Sequence, residues 1–385
     1  MPMKTIGIDA RFYGEAGPGR YVKAIVQHLE KVDCKDNYLI FLTAKGYDLY
    51  TPQNPNFKKV LANYKWYSFQ EQFLFLAKLL KYRLDIFYVP HFNIPVLYPG
   101  TLVTAIPDLI MHTFSTEKGT TLPKPYFKLK KMVYKLVFWW AVVRSKKIIV
   151  PSKDVLKDFR RVYPQIPEDK YVLAYEGVDP DFLLADPNIN PQDVLNKLQI
   201  KKPYLLYVSS AYEHKNLPNL IKAFKILLEK YSFEGQLVIV GKKDKFSEKI
   251  KELVTKEGLD NKILMPGLSN YVKDKEIVAL RTQADLYVFP SLKEGFSLTP
   301  MEAQAVGLPS VISNIEVHKE IYGDSVVYFD PHNIEDIAQK INETLKSPEK
   351  INELKVKGLE LIKQYSWDNT AEITYGVFDK LLQSD

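Results

Sequence analysis

Two glutamates with seven residues between them, Glu294 and Glu302, are the residues whose type and spacing most directly suggest chemistry. They flank the junction between an apolar strand pattern that ends at Phe289 and a helix predicted over about 299–307. The positive end of a helix carries unpaired N–H groups, which can bind a phosphate. The loop and first N–H groups here belong to Gly295, Phe296, Ser297 and Leu298. Carboxylates beside a phosphate suit hydroxyl-rich ligands such as a ribose and a second sugar, because ionised oxygens accept hydrogen bonds strongly.

The same stretch also has a purely structural interpretation. Thr299-Pro-Met-Glu302 has the spacing of a capping box, in which Glu302 accepts a hydrogen bond from the Thr299 backbone N–H. Glu294 could be a solvated loop residue. This stretch alone leaves both interpretations open, so the elements around it must be considered.

Short apolar strands alternate with helices through both halves of the chain, which predicts an α/β protein with doubly wound parallel sheets. The predicted strands are 6–9, 38–42, 85–89, 101–106 and 147–150, then 204–208, 236–240, 262–265, 285–289, 310–312 and 326–329. Residues 180–202 have linker composition. We therefore predict one domain over 1–183, a second over 184–366, and a C-terminal helix over 367–385 that crosses back to the first. Ligands of such sheets bind beyond the strands' carboxyl ends, so we expect a site in a central cleft that both sheets face.

Other candidate residues follow predicted strands. Lys215 lies near a helix start and could neutralise a diphosphate as a point charge, or it could be a solvated loop lysine. In the first half, Gly17 and Gly19 could let the backbone approach a phosphate closely. Val22 stands where a Gly-x-Gly-x-x-Gly fingerprint needs its third glycine, so a dehydrogenase is not expected. His91 and Asp108 also follow strands, although a buried, satisfied histidine is the commoner outcome for any single histidine.

Charge and composition bear on partners and location. Residues 1–180 carry 27 Lys and Arg against 16 Asp and Glu, so this half should prefer anionic surfaces. Segment 124–147 holds eight cations and no anion, and it could lie on anionic lipid or pack on the sheet with its lysines in water. One cysteine, no secretory signal and no long apolar run indicate a cytoplasmic protein, peripheral at most. The six scattered histidines do not suggest a metal site, and we expect no nucleic-acid partner.

Taken together, these residues resemble the retaining glycosyltransferases of family 4, which have the GT-B architecture of two Rossmann-like domains. The most specific segment is Glu294-Gly-Phe-Ser-Leu-Thr-Pro-Met-Glu302, which is similar to the family's Glu-x7-Glu signature. The supporting segments are Val238-Ile-Val-Gly241, Pro266-Gly267, Glu176-Gly-Val-Asp179 and Gly17-Pro-Gly19-Arg-Tyr21.

The resemblance implies a role for each matching residue. Glu294 would contact the transferred sugar, and Glu302 would hold the nucleotide ribose. Lys215 and the N–H groups of 296–298 would receive the diphosphate, and Gly17 and Gly19 would lie near the diphosphate and the acceptor. The resemblance also implies a metal-independent, retaining reaction without cofactors, in which helix dipole and lysine stabilise the departing nucleotide diphosphate. The leaving phosphate itself would help to deprotonate the acceptor hydroxyl.

This chain departs from the family pattern at two positions. Ser210 stands where many members have an arginine that precedes the phosphate lysine. Pro107 stands before Asp108 where relatives often have a histidine that contacts the donor sugar. Either His91 takes over that contact or the donor is positioned differently.

The expected activity is transfer of a hexose from a nucleotide-diphosphate sugar to a glycan or lipid-linked acceptor in cell-envelope polysaccharide or glycolipid synthesis. GDP-mannose is the first expectation for the donor, because Asp9-Ala-Arg11 and Tyr175-Glu-Gly-Val-Asp179 resemble the mannosyltransferase branch. The enzyme would act at the inner face of the plasma membrane. The alternatives are a sugar-nucleotide epimerase or phosphorylase on the same scaffold, and a non-catalytic nucleotide-sugar-binding or membrane-scaffold protein.

Overall fold

The computed structural model describes residues 3–15, 17–114, 124–179 and 186–383, apart from the side chains of 124–127. The chain divides into two compact units. Unit 1 comprises Met1–Glu176 and Ser366–Asp385, and unit 2 comprises Gly177–Tyr365. The division thus falls at Glu176, whereas the sequence pattern placed it at residue 183.

Unit 1 contains, within the described residues, a parallel sheet of seven strands in the order β3-β2-β1-β4-β5-β6-β7. The strands are β1 (Thr5–Asp9), β2 (Asn37–Leu42), β3 (Phe57–Leu61), β4 (Ile86–Val89), β5 (Leu102–Ala105), β6 (Lys147–Val150) and β7 (Tyr171–Leu173). The helices are α1 (Pro18–Val32), α2 (Ala44–Leu49), a π-helix (Glu71–Phe75), α3 (Leu76–Leu79), α4 (Ile110–Phe114), α5 (Lys124–Arg144) and α6 (Lys153–Val162).

Unit 2 repeats this winding with six strands in its described part, in the order β10-β9-β8-β11-β12-β13. The strands are β8 (Tyr204–Val208), β9 (Gln236–Val240), β10 (Ile263–Leu264), β11 (Leu286–Phe289), β12 (Ser310–Ser313) and β13 (Val327–Phe329). The helices are α7 (Pro191–Lys197), α8 (Leu217–Lys230), α9 (Lys245–Lys256), α10 (Asp274–Gln283), α11 (Leu298–Ala305), α12 (Glu316–Tyr322), α13 (Ile334–Leu345) and α14 (Pro348–Leu361). The last helix, α15 (Trp367–Gln383), belongs to unit 1.

The central strands are buried on both faces, which explains why they read as continuous apolar runs. Helix α1 buries Val22, Ile25 and Leu29 in the core of unit 1. Phe378 of α15 belongs to the same core, and Asp368 of α15 lies 2.5 Å from Nδ1 of His28 on α1. The C-terminal helix is therefore held in unit 1 by apolar packing and by a polar contact.

The predicted α/β fold class with two doubly wound parallel sheets is confirmed. The sequence pattern missed strands β3 and β7, which are sheet edges; β3 carries Lys58 and Lys59, and β7 has three residues. Between β3 and β4 the chain forms a π-helix that is followed directly by the short α3. Helix α7 lies inside the predicted linker. In the described part of the chain, no helix is both long and apolar enough to cross a membrane.

Candidate functional site

The carboxyl ends of β8 and β11 meet in unit 2, because these strands are parallel neighbours. The loops that follow them are joined by hydrogen bonds. The Leu292 N–H donates to the His214 carbonyl at 2.7 Å, and the Asn216 amide donates to the Pro290 carbonyl at 3.1 Å. Sequence positions near 215 and 294 therefore come together at this edge of the sheet.

Lys215 and Glu294 form a buried ion pair at this edge. The Lys215 ammonium donates to Oε1 of Glu294 at 2.6 Å, and both side chains are about nine-tenths buried. Burial alone would raise the pKa of Glu294, but the nearby Lys215 charge holds that pKa below its usual value. Glu294 is thus an ionised carboxylate inside the protein, and the interpretation of Lys215 as a solvated loop residue is wrong.

Glu302 has a different partner. It accepts a short hydrogen bond from the Arg281 guanidinium of α10, and both side chains are buried. Helix α11 begins at Leu298 and has Ser297 as its N-cap, so Glu302 does not stand at the third position after a Thr299 cap. The capping-box interpretation is therefore wrong, and Glu302 is an ion-paired carboxylate instead.

Ser297, directly before α11, has the left-handed backbone conformation with φ 77°. Two residues of α12 hold it there. The Tyr322 hydroxyl donates to the Ser297 carbonyl, and the Ser297 hydroxyl lies 3.0 Å from Nε2 of His318. Nδ1 of His318 lies 2.8 Å from the Ser313 carbonyl, so it carries the proton and leaves Nε2 to accept from Ser297.

Ser297 is the last residue of a loop that begins at Ser291, and the start of this loop is fixed as well. The Ser313 hydroxyl donates to the Ser291 carbonyl at 2.5 Å. Strand β12 and helix α12 therefore clamp both ends of the loop 291–297, which contains Glu294. Gly295 and Phe296 are buried within this loop, and Leu298 is half-buried at the helix start. Ser210 lies nearby after β8, where its carbonyl accepts from the Tyr207 hydroxyl at 2.7 Å.

In unit 1, His91 lies next to a buried ionic network at the carboxyl end of β4. Arg11 pairs with Asp9 at 2.7 Å and with Glu71 at 2.5 Å, and the Asn93 amide donates to Glu71 at 2.7 Å. The Asn93 backbone N–H donates to Nδ1 of His91 at 3.1 Å. Burial lowers the pKa of His91 to about 4, with Asp9 opposing and Arg11 assisting, so this histidine is neutral at pH 7.

Asp108 follows β5, and its Oδ1 accepts from the N–H of Ile110, the first residue of α4, at 2.8 Å. Its charge also acts on Glu176, which is buried beyond β7. Burial first and Asp108 second raise the pKa of Glu176 to about 8. Glu176 is therefore protonated at neutral pH.

The two glycines lie at the start of α1. Gly17 is the N-cap with φ 70°, a conformation that favours glycine. A Cβ on Gly19 would lie 2.4 Å from the Phe12 carbonyl, so only glycine fits this close approach. Both positions need glycine for backbone geometry, whatever they bind.

The unit 2 residues place a lysine and two glutamates near the start of α11, an arrangement that could bind an anion. Lys215 and Glu294 form an ion pair in the loops before α11, and Glu302 of α11 forms an ion pair with Arg281 of α10. In the described ranges, no group of three or more His, Cys, Asp or Glu side chains could hold a metal ion. Sequence reasoning missed Arg281, His318, Tyr322, Glu71 and Asn93. No local signal marks them, since their importance comes from contacts with residues far along the chain.

Comparison with known proteins gives a family match in unit 2. Residues 192–360 match the family model described as "Glycosyl transferases group 1". The serotype-specific mannosyltransferase WbdA of Escherichia coli is 30% identical over 224 residues, which are 58% of this chain and 27% of WbdA. The O-antigen chain mannosyltransferase B of Escherichia coli is 28% identical over 240 residues, which are 62% of this chain and 61% of that protein. The chain thus matches between about a quarter and three-fifths of these relatives' lengths.

A solved structure supports the fold. The sucrose-phosphate synthase of Thermosynechococcus elongatus has a TM-score of 0.74 at 16% identity, with 99% of this chain and 100% of that chain covered. At this identity the likeness concerns the fold alone, and the predicted GT-B fold class is confirmed.

Proposed function

We propose that this chain, whose residues 192–360 match the group 1 glycosyl transferase family model, transfers a hexose from a nucleotide-diphosphate sugar to a glycan or lipid-linked acceptor. The observation that carries this proposal is the buried Lys215–Glu294 pair beside the start of α11. A binding protein needs charges that recognise its ligand. A transferase also needs a cation at the leaving group and an acceptor for the hydroxyls of the transferred sugar.

In this mechanism, the diphosphate binds to Lys215 and to the N–H groups of Phe296, Ser297 and Leu298. Lys215 then shares its ammonium between Glu294 and the phosphate oxygens. Glu294 turns a carboxylate oxygen to a hydroxyl of the hexose, and Glu302 accepts from the ribose hydroxyls. Gly295 and Ser210 border the diphosphate, and Gly17 and Gly19 lie on the acceptor side.

The reaction proceeds without a metal and with retention at the anomeric carbon. The bond between the sugar and the diphosphate breaks while the acceptor oxygen bonds to the same face of the sugar. The acceptor proton passes to the departing phosphate oxygen, whose negative charge Lys215 and the helix N-terminus stabilise. The donor is positioned without the histidine contact that Pro107 cannot make, and His91 and Asp108 serve the acceptor instead.

The donor in this proposal is GDP-mannose, and the product belongs to a cell-envelope polysaccharide. Two relatives bear the names of mannosyltransferases, one of them of the O-antigen chain. The resemblance of Asp9-Ala-Arg11 to the mannosyltransferase branch supports the same donor.

The enzyme also binds the inner face of the plasma membrane through α5. This helix buries Phe138, Ala141 and Val142 against the sheet. Its other side exposes apolar and cationic residues, namely Leu129, Met132, Val133, Leu136 and Trp139 with Lys128, Lys130 and Lys135. Such a surface suits anionic lipid, where a lipid-linked acceptor would be held.

A panel of nucleotide sugars tests the activity. We expect GDP-mannose to be hydrolysed slowly without an acceptor, with retention at the anomeric carbon seen by proton NMR and no loss of rate in EDTA. UDP-glucose, UDP-galactose and UDP-N-acetylglucosamine should react more slowly. Absence of both turnover and thermal shift with every donor would refute the enzyme, and interconversion of the intact nucleotide sugars would favour an epimerase.

A further inference from the structure

A group of aromatic rings surrounds His91 at the carboxyl edge of the unit 1 sheet. Phe12 follows β1, Trp66 and Tyr67 follow β3, and His91 follows β4. The Phe12 and Trp66 rings stack with centroids 4.5 Å apart and an interplanar angle of 7°. The His91 ring lies 5.1 Å from Phe12 and 6.2 Å from Tyr67. Three separate strand ends thus build one aromatic surface.

The Tyr67 ring is held outward by an unusual backbone. Tyr67 has φ 55°, a left-handed conformation that a bulky residue rarely adopts, and 60% of its surface is exposed. The carboxylate of Glu71 accepts from the Tyr67 N–H at 3.0 Å. Glu71 itself is fixed by Arg11 and Asn93. A buried ionic network therefore maintains an exposed aromatic ring in a conformation that core packing does not require, and such strain concentrates at functional sites.

The same network sets the tautomer of His91. Because Nδ1 accepts from the Asn93 N–H, a neutral His91 carries its proton on Nε2. Among the described residues, no acceptor contacts Nε2. The indole N–H of half-buried Trp66 also finds no acceptor in the part of the chain that the structure describes. The Trp66 N–H is itself buried, so Nε2–H of His91 is the hydrogen-bond donor that the aromatic surface offers.

We propose that Phe12, Trp66, Tyr67 and His91 form a subsite for one pyranose ring of the acceptor glycan. Ring faces cover the apolar C–H side of a sugar, while Nε2–H of His91 donates to a hydroxyl at its edge. A hydrogen-bond donor alone would not select a sugar ring, and aromatic rings alone would not orient its hydroxyls. This assignment rests on the proposed function, because it gives the transferase a place for its acceptor.

Binding of methyl α-D-mannopyranoside, followed by saturation-transfer NMR on the whole chain without nucleotide, tests the subsite. The Tyr67→Gly variant removes the ring and keeps the left-handed backbone. The His91→Phe variant keeps a ring and removes the donor. Each should weaken binding about tenfold, whereas Tyr271→Ala, at an exposed tyrosine of unit 2, should not.

The result is independent of catalysis, which separates failure of the subsite from failure of the proposed function. Unchanged affinity in both unit 1 variants would overturn the proposal. Displacement of the pyranoside by GDP-mannose would also overturn it, because the subsite would then belong to the donor sugar. Simultaneous binding of both ligands, with the pyranoside affinity still lowered by Tyr67→Gly, would support it.

Discussion

The ammonium of Lys215 donates to Oε1 of Glu294 at 2.6 Å, although the two residues are 79 positions apart in the chain. Both groups are buried, so each charge depends on the other for its compensation. The pair keeps Glu294 ionised and gives Lys215 a fixed position. A diphosphate that binds this lysine must therefore compete with, or share, the Glu294 carboxylate.

The pair can be tested by a double-mutant cycle of Lys215→Met and Glu294→Gln. Lys215→Met takes the ammonium away from a buried carboxylate and should cost about 3–5 kcal/mol of unfolding free energy. The double variant should regain part of that loss, because the amide that replaces the Glu294 carboxylate carries no charge. Glu294→Gln alone should lower transfer by at least about 100-fold and keep GDP binding.

The measurements are urea unfolding, calorimetric GDP titration and the transfer rate. Additive stability losses would show that the pair is not coupled. Full activity in Glu294→Gln would remove this residue from the mechanism.

Arg281 should position Glu302 for the ribose. If so, Arg281→Met should abolish the preference for GDP over 2′,3′-dideoxy-GDP, because Glu302 loses the guanidinium that orients it. Arg281→Lys keeps the charge and should keep part of the preference. Calorimetry with both nucleotides measures the ratio. If Arg281→Met is destabilised but still prefers GDP over 2′,3′-dideoxy-GDP as strongly as the wild type does, Arg281 has only a structural role.

The clamp on Ser297 should control affinity for the diphosphate. His318→Phe keeps a ring but removes the hydrogen bonds to Ser297 and to Ser313. GDP affinity should fall about tenfold, and Tyr322→Phe should act in the same direction. The matched control is Tyr204→Phe, which removes a buried hydrogen bond to Leu280 elsewhere in unit 2. Equal GDP affinity in all three variants would argue against the clamp.

Glu176 should make unit 1 less stable as the pH rises. Its pKa is raised from 4.5 to about 8, so its contribution is complete below pH 4.5 and is lost as the pH rises through 8. In this window the folded state binds the proton and the unfolded state does not, which lowers stability by up to about 1.4 kcal/mol per pH unit. Glu176→Gln should remove this decline, whereas the exposed Glu252→Gln should not. Thermal unfolding between pH 5 and pH 9 gives the comparison, and parallel curves for Glu176→Gln and wild type would contradict it.

Helix α5 should bind anionic vesicles in a salt-sensitive manner. We expect the chain to float with vesicles of phosphatidylcholine and phosphatidylglycerol at low salt, and not with phosphatidylcholine alone. Leu136→Ser with Lys135→Ser should reduce flotation, because both side chains are exposed on α5. Val356→Ser, at an exposed apolar residue of unit 2, is the control. Flotation that depends neither on the salt concentration nor on these substitutions would refute the lipid contact.

Part of the candidate site was predictable from local patterns. Glu294 and Lys215 each follow a predicted strand, and Glu302 lies on the helix that comes next; strand ends are where sites of parallel sheets form. Their partners were not predictable in the same way. Arg281 looks like an ordinary charge on a helix, and His318 is one of six scattered histidines. Their roles arise only when α10 lies beside Glu302 of α11, and when β12 and α12 lie beside the loop 291–297.

The sequence by itself determined the alternation of strands and helices, and with it the two doubly wound parallel sheets. It could do so because apolar periodicity and turn signals act over a few residues. Strands β3 and β7 were not predicted from the sequence, because β7 has only three residues and β3 carries two lysines. Only the tertiary structure decided that Lys215 pairs with Glu294, that Arg281 pairs with Glu302, and that a buried network presents Tyr67 and His91. Strand order brings these distant residues together, and burial then strengthens the electrostatic interactions between their charges.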